Sequence, residues 1–378
     1  MRSLVSAICH LSFRFTCELR AFNARSSTPL DRLLGQFTRI ILTLLVSLAC
    51  QPLAKAAETN VSPPTTLRVT LANSLRNPLS QNLIDFKNAI EEDSSGTLRI
   101  EIFDNAQRYS ETQGRAAVGS GEIDMAVVPL GDYAGDIPAA GLFQQPFLFD
   151  MKPLVLAATR RDHPIRLTIE QEILQKAGVR VLFWQPYGGT VLLSNGAPVT
   201  NPSAMSGRNV AAIDSGMANF IANCGGKPRL VSAPDTFQVL ENKTTDSSMT
   251  GILSLKESDL WRVTNTVTKL RYSEILFVIV INEKSWQRLS EDQRAIISDA
   301  AERVEQSIWR WYFLLEADTY ALAQEKGLKI EELTSDDISD WRICSSIIME
   351  SFMADAGKVG EQLMNAYGKL RTDPCCNR

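Results

Sequence analysis

The chain has 378 residues, 44% hydrophobic and 22% charged, with a formal net charge of −4 and a pI near 5.5. This length and apolar content support a sizeable core divided over two or three lobes. The acidic balance sets aside a nucleic-acid binder, which needs a basic stripe to replace counterions on phosphates.

At the N-terminus, Arg32 and Arg39 precede the apolar run Ile40 to Ala49, and Ala54 and Ala56 form an A-x-A signal. Residues 1–56 are therefore expected to be a leader, with a mature start near Ala57. Residues 1–30 are odd for a leader, and a translation start downstream of them is the alternative reading. The alternative, a membrane anchor, is opposed by the shortness of the run against the ~20 residues of a spanning helix. A lipid-modified Cys50 is opposed by Ser47, three residues before it, where a large aliphatic residue is usual. Removing the leader leaves Cys224, Cys344, Cys375 and Cys376, which form no disulfide framework and have no metal-ligand spacing. A structural bridge among them stays open. A Ser-His-Asp or Cys-His site would have to use His163, in RRDHP, whose surroundings resemble neither a strand end nor a nucleophile elbow. No catalytic site, metal or cofactor is expected.

The first strand alternates Leu67, Val69 and Leu71. A helix follows with Leu83, Phe86 and Ile90 on one face and ends near residues 94–96. A second strand carries Leu98, Ile100 and Ile102. This is a βαβ unit. A helix from about Glu111 to Gly119 leads to the run Ile123 to Val128, which reads as a buried parallel strand. The pattern predicts a doubly wound α/β lobe with ligands beyond the carboxyl ends of its strands, at residues 72–76, 103–107 and 129–133.

The same grammar recurs further on. VRVLFW, from Val179, runs into Gln185-Pro186-Tyr187-Gly188-Gly189, and TVLLSN, NVAAID and LFVIVIN follow as apolar runs of a second sheet. The stretch GRNVAAIDS closes on Asp214 and Ser215, as a buried strand does when it delivers its last residues to a surface. A helix of over 30 residues starts at the capping box Ser290/Gln293, has Gly327 at C′, and is long enough to brace both lobes. A final helix is signalled from about Ser335 to Leu370 by Thr334 and Asp337.

In order and spacing, SGTLRIEIFDNAQ, SGEIDMAVVP, LFQQPFLFD and INEKSWQRLSEDQRAIISDAAE resemble the DctP-like extracytoplasmic solute-binding proteins of tripartite ATP-independent periplasmic (TRAP) transporters. The likeness runs from Leu67 to about Gly368. It implies a two-lobed α/β periplasmic binding-protein fold, each lobe a mostly parallel sheet flanked by helices, joined by crossing strands and a long helix. The lobes are expected at 57–187 with 276–315, and at 188–275 with 316–378. The implied function is capture of a small solute, usually a carboxylate, by a periplasmic monomer that passes it to the small and large subunits of a membrane permease.

The family strand corresponding to GRNVAAID usually carries an arginine that grips the solute carboxylate through two charge-assisted hydrogen bonds. That position falls on Ala211, and a second arginine common in acid-binding relatives would fall near Thr190. The family's acid-and-amide phrase is reduced to DSSMTG, with Thr250 where the amide would be. A slipped alignment would offer Arg208 as the clamp, at the cost of turning the strand's buried run toward solvent. The expected solute lining is Asn73, Arg76, Glu111, Tyr133, Trp184, Tyr187, Thr190, Ala211, Ala233 and Thr250. Aromatic faces beside a carboxylate, without a fixed cation, suit a neutral or cationic solute. Core packing of Trp184 and Tyr187, a carboxylate clamped by Arg76, and presentation to a membrane sensor remain the alternatives.

Overall fold

The computed structural model describes residues 63–75 and 77–373. The leader with its mature start near Ala57, Arg76, Cys375 and Cys376 lie outside the described residues. Strand β1 (Thr65–Thr70), helix α1 (Pro78–Asp93) and strand β2 (Leu98–Phe103) form the expected parallel unit, with Thr65 opposite Leu98. Leu67, Val69, Leu83, Phe86, Ile90, Leu98 and Ile100 share one buried core because the strand period of 2 and the helix period of 3–4 both point inward. Helix α2 (Glu111–Ser120) starts at a capping box of Ser110 and Gln113 and stops at Gly121, whose φ of 86° ends the helix in the left-handed region. It leads to β3 (Met125–Pro129), which is parallel to β1.

Helices α3 (Lys152–Ala158) and α4 (Pro164–Ala177) then bring the chain to β4 (Val179–Ser194). His163 is the N-cap of α4, its Nδ1 accepting from the Ile165 N–H at 3.2 Å, which is a structural task rather than a catalytic one. The sequence suggested two separate runs here. Instead a single strand of 16 residues passes through Gln185–Gly189 with irregular register at Val181/Phe183 and Pro186/Gly188. Pro186 lacks the N–H that a regular ladder needs, and a bulge tolerates it.

The second lobe comprises α5 (Pro202–Met205), β5 (Asn209–Ala212), α6 (Ser215–Asn223), β6 (Lys227–Leu230), α7 (Thr236–Glu241), β7 (Ser247–Gly251), α8 (Ser254–Glu257) and β8 (Thr266–Lys269). Strand β9 (Glu274–Asn282) returns to the first lobe and lies antiparallel between β3 and β4. After α9 (Glu283–Gln287) come α10 (Glu291–Glu325), β10 (Lys329–Glu332) and α11 (Ser335–Arg371), which is two helical segments joined by a kink at Gly357, whose φ is 52°. The strand order is β2-β1-β3-β9-β4-β7-β5-β6, with β8 and β10 branching from β4. Strand β4 pairs with β9 through Gly189 and with β7 from Thr190 onward, so it is the shared member that joins the lobes.

Helix α10 has the Ser290/Gln293 capping box. Its Ile297, Val304 and Ile308 pack in the large core that runs from Leu67 and Leu83 to Val210, Phe220 and Met249, while Ala323 packs with Val191, Leu193 and Val267 in a separate cluster. Helix α11, capped by Thr334 with Asp337, also serves both sides: Trp341 packs in one core, and Phe352, Leu363 and Leu370 pack in the other. A disulfide joins Cys224, after α6, to Cys344 on α11. No helix among the described residues is long and apolar enough to cross a membrane.

Candidate functional site

The carboxyl ends of strands from both lobes converge on β4. From the first lobe comes Asn77, beyond β1; from the second comes Glu257, at the end of α8. Glu257 Oε2 accepts from Asn77 Nδ2 at 2.7 Å and from the Tyr187 hydroxyl of β4. Its Oε1 is shut off from solvent and has no hydrogen-bond partner among the described residues. Burial pushes the Glu257 carboxyl up to about 7 against the opposing effect of those two donors. Beside it, Asn82 Nδ2 donates to Gln185 Oε1 at 3.1 Å. Gly251 makes the close approach of β7 possible, since a methyl there would stand 2.6 Å from the Tyr187 carbonyl oxygen.

A second polar cluster lies where β5 ends. Asp214 caps α6, accepting from the Met217 N–H at 2.8 Å, and Gln144 donates to its carboxylate from the first lobe. Gln144 and Asp214 line a small, partly open cavity of about 20 Å³ together with Gly131, Ser273 and Glu274. Such a volume holds about one water. Burial lifts the Asp214 carboxyl above its ordinary value. Asp132 rises to about 6, through burial and then the Asp214 charge, with Arg115 opposing. Glu274 rises to about 8 through burial, against the Tyr312 hydroxyl bonded to it. The first cluster thus holds one carboxyl, Glu257, and the second holds three, Asp132, Asp214 and Glu274, that resist ionisation. Of the nearby cations, Arg115 pairs with Asp136, Lys152 with Glu316, and Arg271 lies 3.7 Å from Glu316. Among the described residues, no group of His, Cys, Asp and Glu is arranged to hold a metal ion.

The sequence profile of the family described as "Bacterial extracellular solute-binding protein, family 7" (DctP) matches residues 71–355. The chain belongs to this family. It is similar to the C4-dicarboxylate-binding protein DctB of Bacillus subtilis, at 22% identity over 261 residues, covering 68% of this chain and 73% of that one. It is also similar to the sialic acid-binding periplasmic protein SiaP of Vibrio cholerae, at 20% identity over 322 residues, 83% of this chain and 95% of that one. In fold it matches DctP7 of Bordetella pertussis, an extracytoplasmic solute receptor binding pyroglutamic acid, with a TM-score of 0.74 and 19% identity over 80% of this chain and 99% of that one. The protein is a periplasmic solute receptor of the TRAP type and not an enzyme.

The receptor places the residues singled out from its sequence in different surroundings. Tyr187 touches Glu257 as described. Thr190 is buried beside it on β4 and donates to the Ser273 carbonyl at 2.8 Å. Thr250, opposite Val191, donates to Ser254 Oγ at 3.1 Å. Asn73 lies in the loop after β1, where its carbonyl accepts from the Asn105 N–H at 3.0 Å. Tyr133 is fully buried, its hydroxyl has no partner among the described residues, and Arg115 lies over its ring at 4.9 Å. Trp184 is fully buried in the first lobe: its N–H donates to Glu305 at 3.0 Å and its indole to Glu170 at 2.8 Å. Ala211 is fully buried between Arg229 of β6 and Ser248 of β7. Strand alternation puts it on the face opposite Val210 and Ala212. Ala233 is buried in a 3₁₀ turn before α7. Glu111 opens α2, and its side chain lies outside the described residues. Arg208 sits at the far end of β5 and donates to the Ala197 carbonyl at 2.9 Å.

Asn77, Gln144, Asp132, Glu257 and Glu274 were missing from the sequence-based lining. Asp214 was visible only as the residue closing NVAAID. Gln144 stood inside the phrase LFQQPFLFD, and nothing in that phrase marks which polar residue turns inward.

Proposed function

We propose that this receptor takes up a small neutral or cationic organic solute between its lobes and passes it to a two-subunit TRAP permease. The observation that carries the choice of solute is Glu257. It is a carboxyl with one oxygen held by Asn77 and Tyr187 and the other shut from solvent without a partner among the described residues. A donor group on the solute satisfies that oxygen and the charge of the ionised form together. The family resemblance, which leads one to expect arginine at Ala211 and near Thr190, supports the same choice. The names of the relatives favour a second possibility, an organic acid held by another cation.

Thermal melting against amines, amino alcohols, polyols and carboxylates separates the two, because a ligand of the folded state raises Tm by mass action. Stabilisation by an amine or polyol is expected, with none by simple mono- or dicarboxylates. Glu257→Gln should weaken a cationic solute by about 10- to 100-fold in calorimetry, the worth of one hydrogen bond to a charged group. Tight carboxylate binding that Glu257→Gln leaves unchanged would overturn the proposal.

A further inference from the structure

Gln144 ends the 3₁₀ turn Pro138–Gln144 of the first lobe, and its side chain lies between two glycines. Gly131 follows β3 in the first lobe and Gly216 opens α6 in the second. A methyl on Gly131 would overlap Gln144 Nε2, and one on Gly216 would stand 2.9 Å from its Cδ. Neither glycine has a positive φ. What these positions require is therefore the absence of a side chain rather than an unusual backbone.

The carboxamide thus fills a slot whose two walls come from the two lobes, and it donates to Asp214 at the slot's end. On one side of it is the small cavity of about 20 Å³, where Asp214, Ser273 and Glu274 meet apolar residues such as Leu130 and Phe143. On the other is an open groove of about 830 Å³ that runs over Ala134, Gly135, Ser215 and Asn219 and under Ile347 and Phe352 of α11. Among the described residues Gln144 is the one that lines both. It stands between the small cavity at Asp214 and the open groove. Its head group is small, neutral and rich in N–H donors, the chemistry that an enclosed carboxylate accepts.

We propose that Gln144 is an internal stand-in for the solute, its carboxamide holding the place on Asp214 that a primary amide, ammonium or guanidinium head group takes. The proposal rests on the interlobe solute site argued above and adds its recognition element. Solute entering from the groove displaces the Gln144 head group. The exchange is one donor for another on Asp214, so the closed cleft is never left with a carboxylate bare.

Acetamide, which reproduces the Gln144 head group, is the probe. Gln144→Ala removes that group from a half-buried side chain and leaves a slot of matching shape. Melting of Gln144→Ala should show a saturable, millimolar rise in Tm with acetamide and none with acetate, which offers no N–H and repels Asp214. The wild type, its slot filled, should respond to neither. Equal responses of variant and wild type, or equal responses to acetamide and acetate, would overturn the stand-in. If Gln144→Ala melts too broadly to read, Gln144→Asn, which withdraws the amide by one methylene, is measured with the same expectation. Acetamide binding does not involve the natural solute. A binder found in the solute panel alongside an absent acetamide response overturns this inference alone, whereas an acetamide response with no binder in the panel supports it and counts against the receptor's proposed solute class.

Discussion

Glu257 and Glu274 hold protons that an unfolded chain would give up. Burial raises the first to about 7 and the second to about 8 from an ordinary value of 4.5, and Asp132 shifts the same way, to about 6. Between about pH 4.5 and 7 the native protein binds more protons than the unfolded one, so its stability falls as pH rises through that window. The contribution is complete below the unfolded value and lost as pH climbs past the folded ones. The solute-free protein should therefore melt higher near pH 5 than near pH 8, and Glu257→Gln should flatten part of that slope. A bound cation favours the ionised carboxyl. Affinity for a cationic solute should then rise over the same range, with proton release seen as a buffer-dependent heat in calorimetry. An affinity that falls with pH would place the solute's charge elsewhere. Glu305, 4% exposed, is bonded by Arg166, Arg161 and the Trp184 N–H.

At the scale of elements, α11 is the member that most needs external anchoring. Its first turns meet the second lobe through Trp341, whose indole donates to the Thr200 carbonyl at 2.7 Å, and through the Cys224–Cys344 bridge. Its last turns meet the first lobe, where the Tyr367 hydroxyl donates to the Leu148 carbonyl at 2.6 Å and Arg371 pairs with Asp150 at 2.9 Å. The bridge closes a loop with a sequence separation of 120, for which chain entropy gives about 5 kcal/mol of stabilisation. Cys344→Ser, or reduction of the wild type, should lower the denaturant midpoint accordingly and leave helix content unchanged below the transition. Coincident unfolding curves for oxidised and reduced protein would show that packing of Trp341 alone holds the helix in place.

At the scale of the molecule, both lobes hang on β4, on α10, about 50 Å long at 1.5 Å per residue, and on α11. Contacts such as Asn77 to Glu257 and Gln144 to Asp214 bridge the two lobes, and opening the cleft has to break them. Hinge closure around a ligand is the expected motion of such an architecture. Small-angle scattering should show a smaller radius of gyration when a binder from the solute panel is added. An unchanged radius would mean that the solute reaches its site without separation of the lobes.

The alternation of Leu67, Val69 and Leu71, the spacing of Leu83, Phe86 and Ile90, and the caps at Ser290 and Thr334 settle strands and helices locally, because period and capping are properties of neighbours in sequence. The sequence by itself therefore determined the α/β grammar, the long α10 and α11, and the family. The continuity of β4 through Pro186 was hidden, since a proline reads as a break until a neighbouring strand accepts it at a bulge. The pairing of Cys224 with Cys344 was likewise open, because four cysteines without a framework spacing fix no partner. The tertiary structure alone decided which polar residues meet. Asn77, Tyr187 and Glu257 are far apart in the chain, and Gln144 has meaning only between a glycine from each lobe. A carboxyl's burial, and hence its proton affinity, depends on what packs against it from elsewhere, which no local pattern of residues records.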